Sequence, residues 1–262
     1  MKILVINGSC RGGKGFTRFL SDLLLQGAAE AGARGEVVDL AHCRVNRCLS
    51  CGKCNTPAQY LKCVFEDQDD VKEIFRKMVE ADILVFATPI YIFTLSGLLK
   101  IFLERMYARA DVFDLRLTQS GLFFHHIDPA LCSKPFVVLA CCDNQEKETL
   151  KNVVSYFRTY ARFNDARQVG LLLRGSGRFA GHGRDPAALK NIPRLPAVYE
   201  AFRRAGRELA LNGKISRSTE KAAAQNILPI PAVFRLLGRF KPVKRKLIEQ
   251  ARRMTRLSAG DI

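Results

Sequence analysis

The sequence predicts an α/β protein: a doubly wound, five-stranded parallel sheet followed by a basic helical C-terminal extension. Three observations carry this. Short apolar runs recur through the chain, segments of helical period separate them, and glycine- or proline-bearing turns follow the runs. Such runs are the mark of strands buried on both faces.

Ile3–Ile6 is the first run, and a helix follows from Thr17 to Ala31, with Phe19, Leu20, Leu23, Leu24 and Ala28 on one face and Gly32 past its end. Glu36–Leu40 is the second strand. Asp69 and Asp70 place acid at the start of a helix to about Glu80, complementing its dipole. The third strand, Ile83–Ala87, leads through a loop into a helix from Leu95 to Tyr107. Phe136–Cys141, a helix over Glu146–Arg162 and the strand Gln168–Leu173 complete the sheet, and Pro196–Leu211 is a further helix ending near Gly213. The uncharged stretch Ile83–Leu99 is broken by Pro89 and Gly97, so it reads as strand and helix and not as a membrane span. The organisation expected is a first domain over 1–216, with a cysteine-rich loop at 43–63, and an extension over 217–262. Ala108–Lys134 is a long connection that a minimal domain of this kind does not need.

The formal net charge is +17, and from Ala201 to Ile262 there are fifteen Lys and Arg against four acids. That field attracts anions of any kind and does not choose among them. No nucleic-acid motif accompanies it, so nucleic acid is an unlikely partner. Val233, Phe234, Leu236, Leu237 and Phe240 lie beside basic residues in the extension. Packing on the domain or a second subunit is preferred there over peripheral membrane contact. The first residues lack a secretory pattern, which gives a cytoplasmic expectation. Nine cysteines in such a chain point to metal, cluster or redox use.

Ligands of doubly wound sheets sit beyond the carboxyl ends of the strands. The loops after Ile6, Ala87 and Cys141 therefore matter. Asn7 to Thr17 reads NGSCRGGKGFT and opens a helix. Glycines allow close backbone approach, amides at a helix start face anions, and Ser9, Arg11, Gly15, Phe16 and Thr17 are the candidate phosphate contacts. The loop matches neither the Walker nor the GxGxxG pattern, which disfavours ATP and Rossmann-type NAD binding. In the second loop Pro89, Ile90, Tyr91, Ile92 and Phe93 offer a stiff apolar surface for a planar ring. The third contributes Asp143 and Asn144.

Cys48, Cys51 and Cys54 form CxxCxxC, and Cys63 follows after eight residues. Four thiolates at this spacing suit one small metal centre: an iron–sulfur cluster, or zinc, with redox-active thiols as a third reading. Cys43 is a spare ligand; Cys10, Cys132, Cys141 and Cys142 read as small core or loop residues. His125 and His126 are adjacent, hence on opposite sides of an extended segment, and supply no metal site.

The first loop, with Gly8, Ser9, Arg11, Gly15 and Thr17, resembles that of the NADPH-dependent FMN reductase and iron–sulfur flavoprotein group; Cys10 stands where the group has proline and Phe16 where it has asparagine. The stretch Thr88–Gly97 is similar to the group's second flavin loop, with Gly97, Lys100, Glu104 and Arg105 fitting the helix after it. The cysteine motif resembles that of the iron–sulfur flavoproteins, with a longer final gap. The resemblance spans Met1 to Ser216. It implies a flavodoxin-like fold, FMN at the three loops, a [4Fe-4S] cluster on Cys48, Cys51, Cys54 and Cys63, and a homo-oligomer. The function implied is electron transfer between FMN, the cluster and a redox partner such as ferredoxin or NAD(P)H, with quinone or another small molecule as acceptor. An NAD(P)H-dependent FMN or quinone reductase without a cluster is the alternative enzyme. A non-enzymatic electron carrier, or a basic flavin-binding regulator, is the alternative outside that class.

Overall fold

The structure is a computed structural model, which describes residues 1–144, 146–177, 192–227, 240–246 and 248–249. Strands β1 (Lys2–Asn7), β2 (Arg34–Asp39), β3 (Ile83–Tyr91), β7 (Phe136–Cys141) and β8 (Gln168–Arg174) pair in parallel in the order β2-β1-β3-β7-β8. The chain winds out from β1 to β2 and returns to β3 on its other side. A crevice therefore opens between β1 and β3, at the switch point where such folds bind ligands.

Burial explains the run-like sequence of the strands: Ile3–Ile6, Ile83–Ala87 and Phe136–Cys141 are buried throughout. Helices α2 (Val71–Glu80), α3 (Gly97–Glu104) and α5 (Lys151–Phe163) bury Ile74, Phe75, Met78, Phe102 and Phe157 in one core with the side chains of Leu4, Ile6, Phe86 and Phe136. Helices α1 (Phe16–Glu30) and α6 (Leu195–Asn212) pack on each other. Their axes approach so closely that a Cβ on Gly206 would stand 1.8 Å from the Leu24 carbonyl oxygen, and one on Gly27 would stand 1.9 Å from that of Arg203. Gly213 ends α6 in the left-handed conformation.

The long connection is structured. Strands β5 (Ala110–Leu117) and β6 (Phe123–Ile127) form an antiparallel hairpin, and the short helix α4 (Pro129–Cys132) leads into β7. The hairpin escapes a periodicity reading because both of its faces carry apolar residues: Phe113, Leu115, Leu117 and Phe123 are exposed, while Phe124 packs against the core. A second departure follows Ala87. The third strand continues to Tyr91 and turns through Ile92 and Phe93 into β4 (Thr94–Leu95), pairing Ile90 with Leu95 and Tyr91 with Thr94. Ile92 and Phe93 both have positive φ, 46° and 65°, as a two-residue hairpin turn requires.

The compact unit runs from Met1 to Ile227 and takes in α7 (Arg217–Ala223), whose Glu220 accepts a hydrogen bond from the Leu171 amide at 2.8 Å. The remaining unit, residues 228–262, contains helical residues 241–246, and Phe240 is exposed. Val233, Phe234, Leu236 and Leu237, the apolar set of the extension, lie outside the described residues. No helix among the described residues is long and apolar enough to cross a membrane; the stretch Ile83–Leu99 is β3, β4 and the start of α3.

Candidate functional site

At the carboxyl ends of β1, β3 and β7 the three expected loops meet in a pocket of about 180 Å3, lined by Ser9, Arg11, Gly15, Phe16, Thr17, Pro89, Ile90, Tyr91 and Asp143. Cys141, Cys142 and Gly177 complete the lining. Ile92, Phe93 and Asn144 are not part of it. The first two form the exposed hairpin tip, and Asn144 is turned to its own loop, donating to Thr149 Oγ1 at 2.8 Å and accepting from the Glu146 amide at 3.0 Å.

Local hydrogen bonds shape the first of these loops. The Asn7 side chain accepts from the Ser9 amide at 3.2 Å, and the amides of Gly12, Lys14 and Gly15 close a short 3-10 turn. That turn delivers the chain to Phe16, where α1 begins, so the helix N-terminus and its positive dipole end border the pocket. A side chain at Gly15 would put its Cβ 2.5 Å from Ser9 Oγ. Opposite, a Cβ on Gly177 would lie 3.1 Å from Asp143 Oδ1 and 3.2 Å from Phe16 Cδ1, so both glycines keep the pocket open.

The pocket sulfurs are not nucleophiles. Burial pushes the Cys141 thiol up to about 12, against a hydrogen bond from Thr17, and raises Cys142 as well. Both stay protonated near neutrality, so their role is to pack. The sequence reads them as small core or loop residues, and their position at the end of β7 is the available signal for the lining. Gly177, which follows β8, carries no such signal.

A second group of residues forms at the cysteine loop. Cys48, Cys51, Cys54 and Cys63 all border one small cavity, walled by Leu49, Val64, Phe65 and Ala108, with Arg105 and Tyr107 at its side. Left-handed residues Ser50 and Gly52 (φ 52° and 69°) turn the chain on either side of Cys51. The Ser50 amide donates to Cys48 Sγ at 3.4 Å. Burial raises the Cys54 thiol, and the charges that Cys63, Cys51 and Cys48 would carry push it the same way.

Among the described residues no three His, Cys, Asp or Glu side chains converge as ligands of one metal ion. The four candidate ligands that border the cavity are all thiols. Leu49, Val64, Phe65 and Ala108 surround them with apolar surface. Cys43 points elsewhere, donating to the Asp39 carbonyl at 3.4 Å.

Two arginines that the sequence did not single out for the purpose clamp this loop. Arg105 and Asp69 form an ion pair in which the side chains are 2% and 0% exposed. Arg105 also donates to the Asn46 carbonyl at 3.0 Å, and Asp69 accepts from the Asn46 amide at 3.0 Å. Arg109 donates to the Leu61 carbonyl at 2.9 Å and pairs with Glu66 at 2.6 Å. Both arginines come from the 3-10 turn Arg105–Arg109 after α3, so that turn ties the neck and the far side of the loop to the core.

A doubly wound sheet with a glycine-lined, helix-capped pocket at its switch point defines a flavodoxin-like domain. Comparison with known proteins gives the family. The family model described as NADPH-dependent FMN reductase matches residues 1–145, more than half of the chain. This chain belongs to that family, one of flavin-dependent oxidoreductases. Among curated proteins it is 35% identical over 121 residues to an iron–sulfur flavoprotein of Methanocaldococcus jannaschii, covering 46% of this chain and 60% of that protein. It is 31% identical over 105 residues to an iron–sulfur flavoprotein of Archaeoglobus fulgidus, covering 40% of this chain and 48% of that one. The chain thus spans about half the length of these relatives. An FMN-dependent NADH-azoreductase from Bacillus anthracis, solved with FMN, superposes with a TM-score of 0.56 at 15% identity, over 80% of this chain and 99% of that one, and shares the fold.

Proposed function

We propose that this protein is an FMN-dependent oxidoreductase of the iron–sulfur flavoprotein type. The observation that carries the reading is the meeting of two sites on one fold: a helix-capped pocket at the switch point, and four cysteines around a single cavity.

FMN supplies the interchange between two-electron and one-electron chemistry, and a [4Fe-4S] cluster relays single electrons. The chain's own residues do the rest. The α1 N-terminus, Ser9 and Thr17 receive the phosphate, with Arg11 adding charge at the exposed rim. Pro89, Ile90 and Tyr91 border the ring. Burial raises the Tyr91 phenol, so it remains a neutral hydrogen-bond donor. Cys48, Cys51, Cys54 and Cys63 hold the cluster, and the Ser50 amide directed at Cys48 tunes it. NAD(P)H or a ferredoxin-type protein is the electron donor, and the protein works as an oligomer in the cytoplasm.

The test is anaerobic purification followed by an absorption spectrum with flavin, iron and sulfide quantified per chain. The expected result is one FMN and four irons with matching sulfide. A colourless preparation that takes up no added FMN would overturn the flavin reading. Flavin without iron, with rapid reduction by NAD(P)H, would leave an FMN or quinone reductase that lacks a cluster.

A further inference from the structure

The β5–β6 hairpin has two unlike faces. Its inner side is anchored: Arg116 pairs with Asp165 and donates to the Phe163 carbonyl at 2.9 Å, and Phe124 packs against the core. Its outer side is bare. Leu117 stands directly across from Phe123, and Leu115 shares that face two residues back along β5. Leu115, Leu117 and Phe123 are 59%, 67% and 77% exposed, and Phe113, in the irregular stretch before Leu115, is 78% exposed. At about 150–250 Å2 for each phenylalanine, these four side chains put roughly 500 Å2 of apolar surface in water, the size at which a patch marks an interaction site. Neither strand joins the main sheet, so the architecture of the domain does not require this face to be apolar.

Charge selects the occupant. The chain carries 42 Lys and Arg, yet residues 110–127 hold one of them, Arg116, and its charge is directed inward at Asp165. Of the two acids in the hairpin, Asp111 accepts from the Tyr60 hydroxyl and Asp114 lies 3.6 Å from His126 Nδ1. An anionic polymer, an anionic lipid surface or an acidic protein would be steered to the basic faces, where its charge is answered, and not to this one. A second copy of the chain is in the opposite position. Two copies at +17 repel each other, and the repulsion is least where two faces without free cations meet. An apolar face is also complementary to itself, as a two-fold interface demands, and two such patches bury about 1,000 Å2, the area a specific interface needs.

We propose that the outer face of the β5–β6 hairpin is the surface through which two copies of this chain associate, face to face about a two-fold axis, with Leu117 and Phe123 at its centre. The base of the hairpin is tied to the cysteine loop: Tyr60 bonds to Asp111, and Arg109, the residue before β5, donates to the Leu61 carbonyl at 2.9 Å. Association therefore braces the cysteine loop of each copy through its own hairpin. No hairpin residue lines the switch-point pocket, so that pocket stays outside the contact. The inference rests on the reading of the protein as an oligomer and adds the surface to it; it needs neither cofactor.

The test is sedimentation velocity and fluorescence of the full chain over a range of concentrations. The sequence contains no tryptophan, so Phe123→Trp places a single indole on the face and Leu211→Trp places one on the exposed end of α6. The first emission is expected to move to shorter wavelength as the chain associates, and the second to stay where it is. The pair Leu117→Glu with Phe123→Glu, and the pair Leu117→Lys with Phe123→Lys, are each expected to weaken association at least about hundredfold, because like charges are then set against each other. Mixing the two charged variants is expected to restore it. Both positions are exposed, so circular dichroism should be unchanged. A parent chain that is monomeric at every concentration would overturn the proposal and the oligomer reading together. An oligomer that survives both charged pairs would overturn the proposal alone, since another face would then hold the copies. So would an indole at position 123 already shielded from water while the chain is monomeric, which would mean that another part of the same chain covers the face. Uptake of the parent by neutral phosphatidylcholine vesicles, lost in both charged pairs, would assign the face to lipid instead.

Discussion

Replacing Arg105 by alanine isolates the clamp on the cysteine loop. The mutation leaves the Asp69 carboxylate fully buried without its cation and frees the Asn46 carbonyl, which accepts from the same guanidinium. Removing one partner of a buried ion pair typically costs about 3–5 kcal/mol. The guanidinium also lies 5.5 Å from the centre of the Phe65 ring, and alanine forgoes that cation–π attraction as well. At about 2–4 °C per kcal/mol for a chain of this size, the melting temperature should fall by roughly 6–20 °C. Differential scanning calorimetry measures that fall. Reaction of the metal-free protein with an aromatic disulfide reports the loop itself, because Cys54 is buried and should become accessible at a temperature where the fold persists. The paired variant Arg105→Met with Asp69→Leu should recover most of the stability, since neither charge is then stranded. A fall of less than about 2 °C with unchanged thiol reactivity would refute the idea that this pair holds the loop to the core.

Gly206→Ala should lower the melting temperature by about 5–10 °C, because its Cβ would stand 1.8 Å from a backbone oxygen and α1 and α6 must separate. Gly177→Ala should weaken FMN binding about tenfold in a fluorescence titration while leaving the fold intact, since the new methyl crowds Asp143 and Phe16 at the pocket floor. Burial alone would raise the Glu208 carboxyl, but its hydrogen bonds from the Ser216 amide and hydroxyl and from Thr219 lower it below the usual 4.5. A depressed carboxylate stabilises the fold fully above its unfolded value and loses that contribution as the pH falls through the folded one. Urea unfolding of Glu208→Gln should therefore show a shallower loss of stability below about pH 4.5 than the parent protein.

How much was legible in the sequence depended on the range of the interaction. Each strand of the parallel sheet is buried on both faces, so Ile3–Ile6, Ile83–Ala87 and Phe136–Cys141 announce themselves as runs. The first loop is a local object, built by hydrogen bonds between residues a few positions apart, and Ser9, Gly15 and Thr17 line one pocket. The CxxCxxC spacing is local too, and the four cysteines do share a cavity. The turn at Ile92 and Phe93 was not legible, because left-handed φ in two bulky residues contradicts their intrinsic preference and is imposed by the pairing of β3 with β4. The β5–β6 hairpin was hidden for a related reason: with apolar residues on both faces it has no alternation to read.

The sequence by itself determined the layered α/β architecture, the glycine-rich first turn and the cysteine spacing, since all three follow from short-range periodicity and spacing. Tertiary structure alone decided which distant residues meet. Arg105 reaches Asp69 across 36 positions, and Gly177 completes the lining of a pocket that begins at Ser9. No local pattern encodes such meetings, because they depend on how the sheet order folds the chain back on itself.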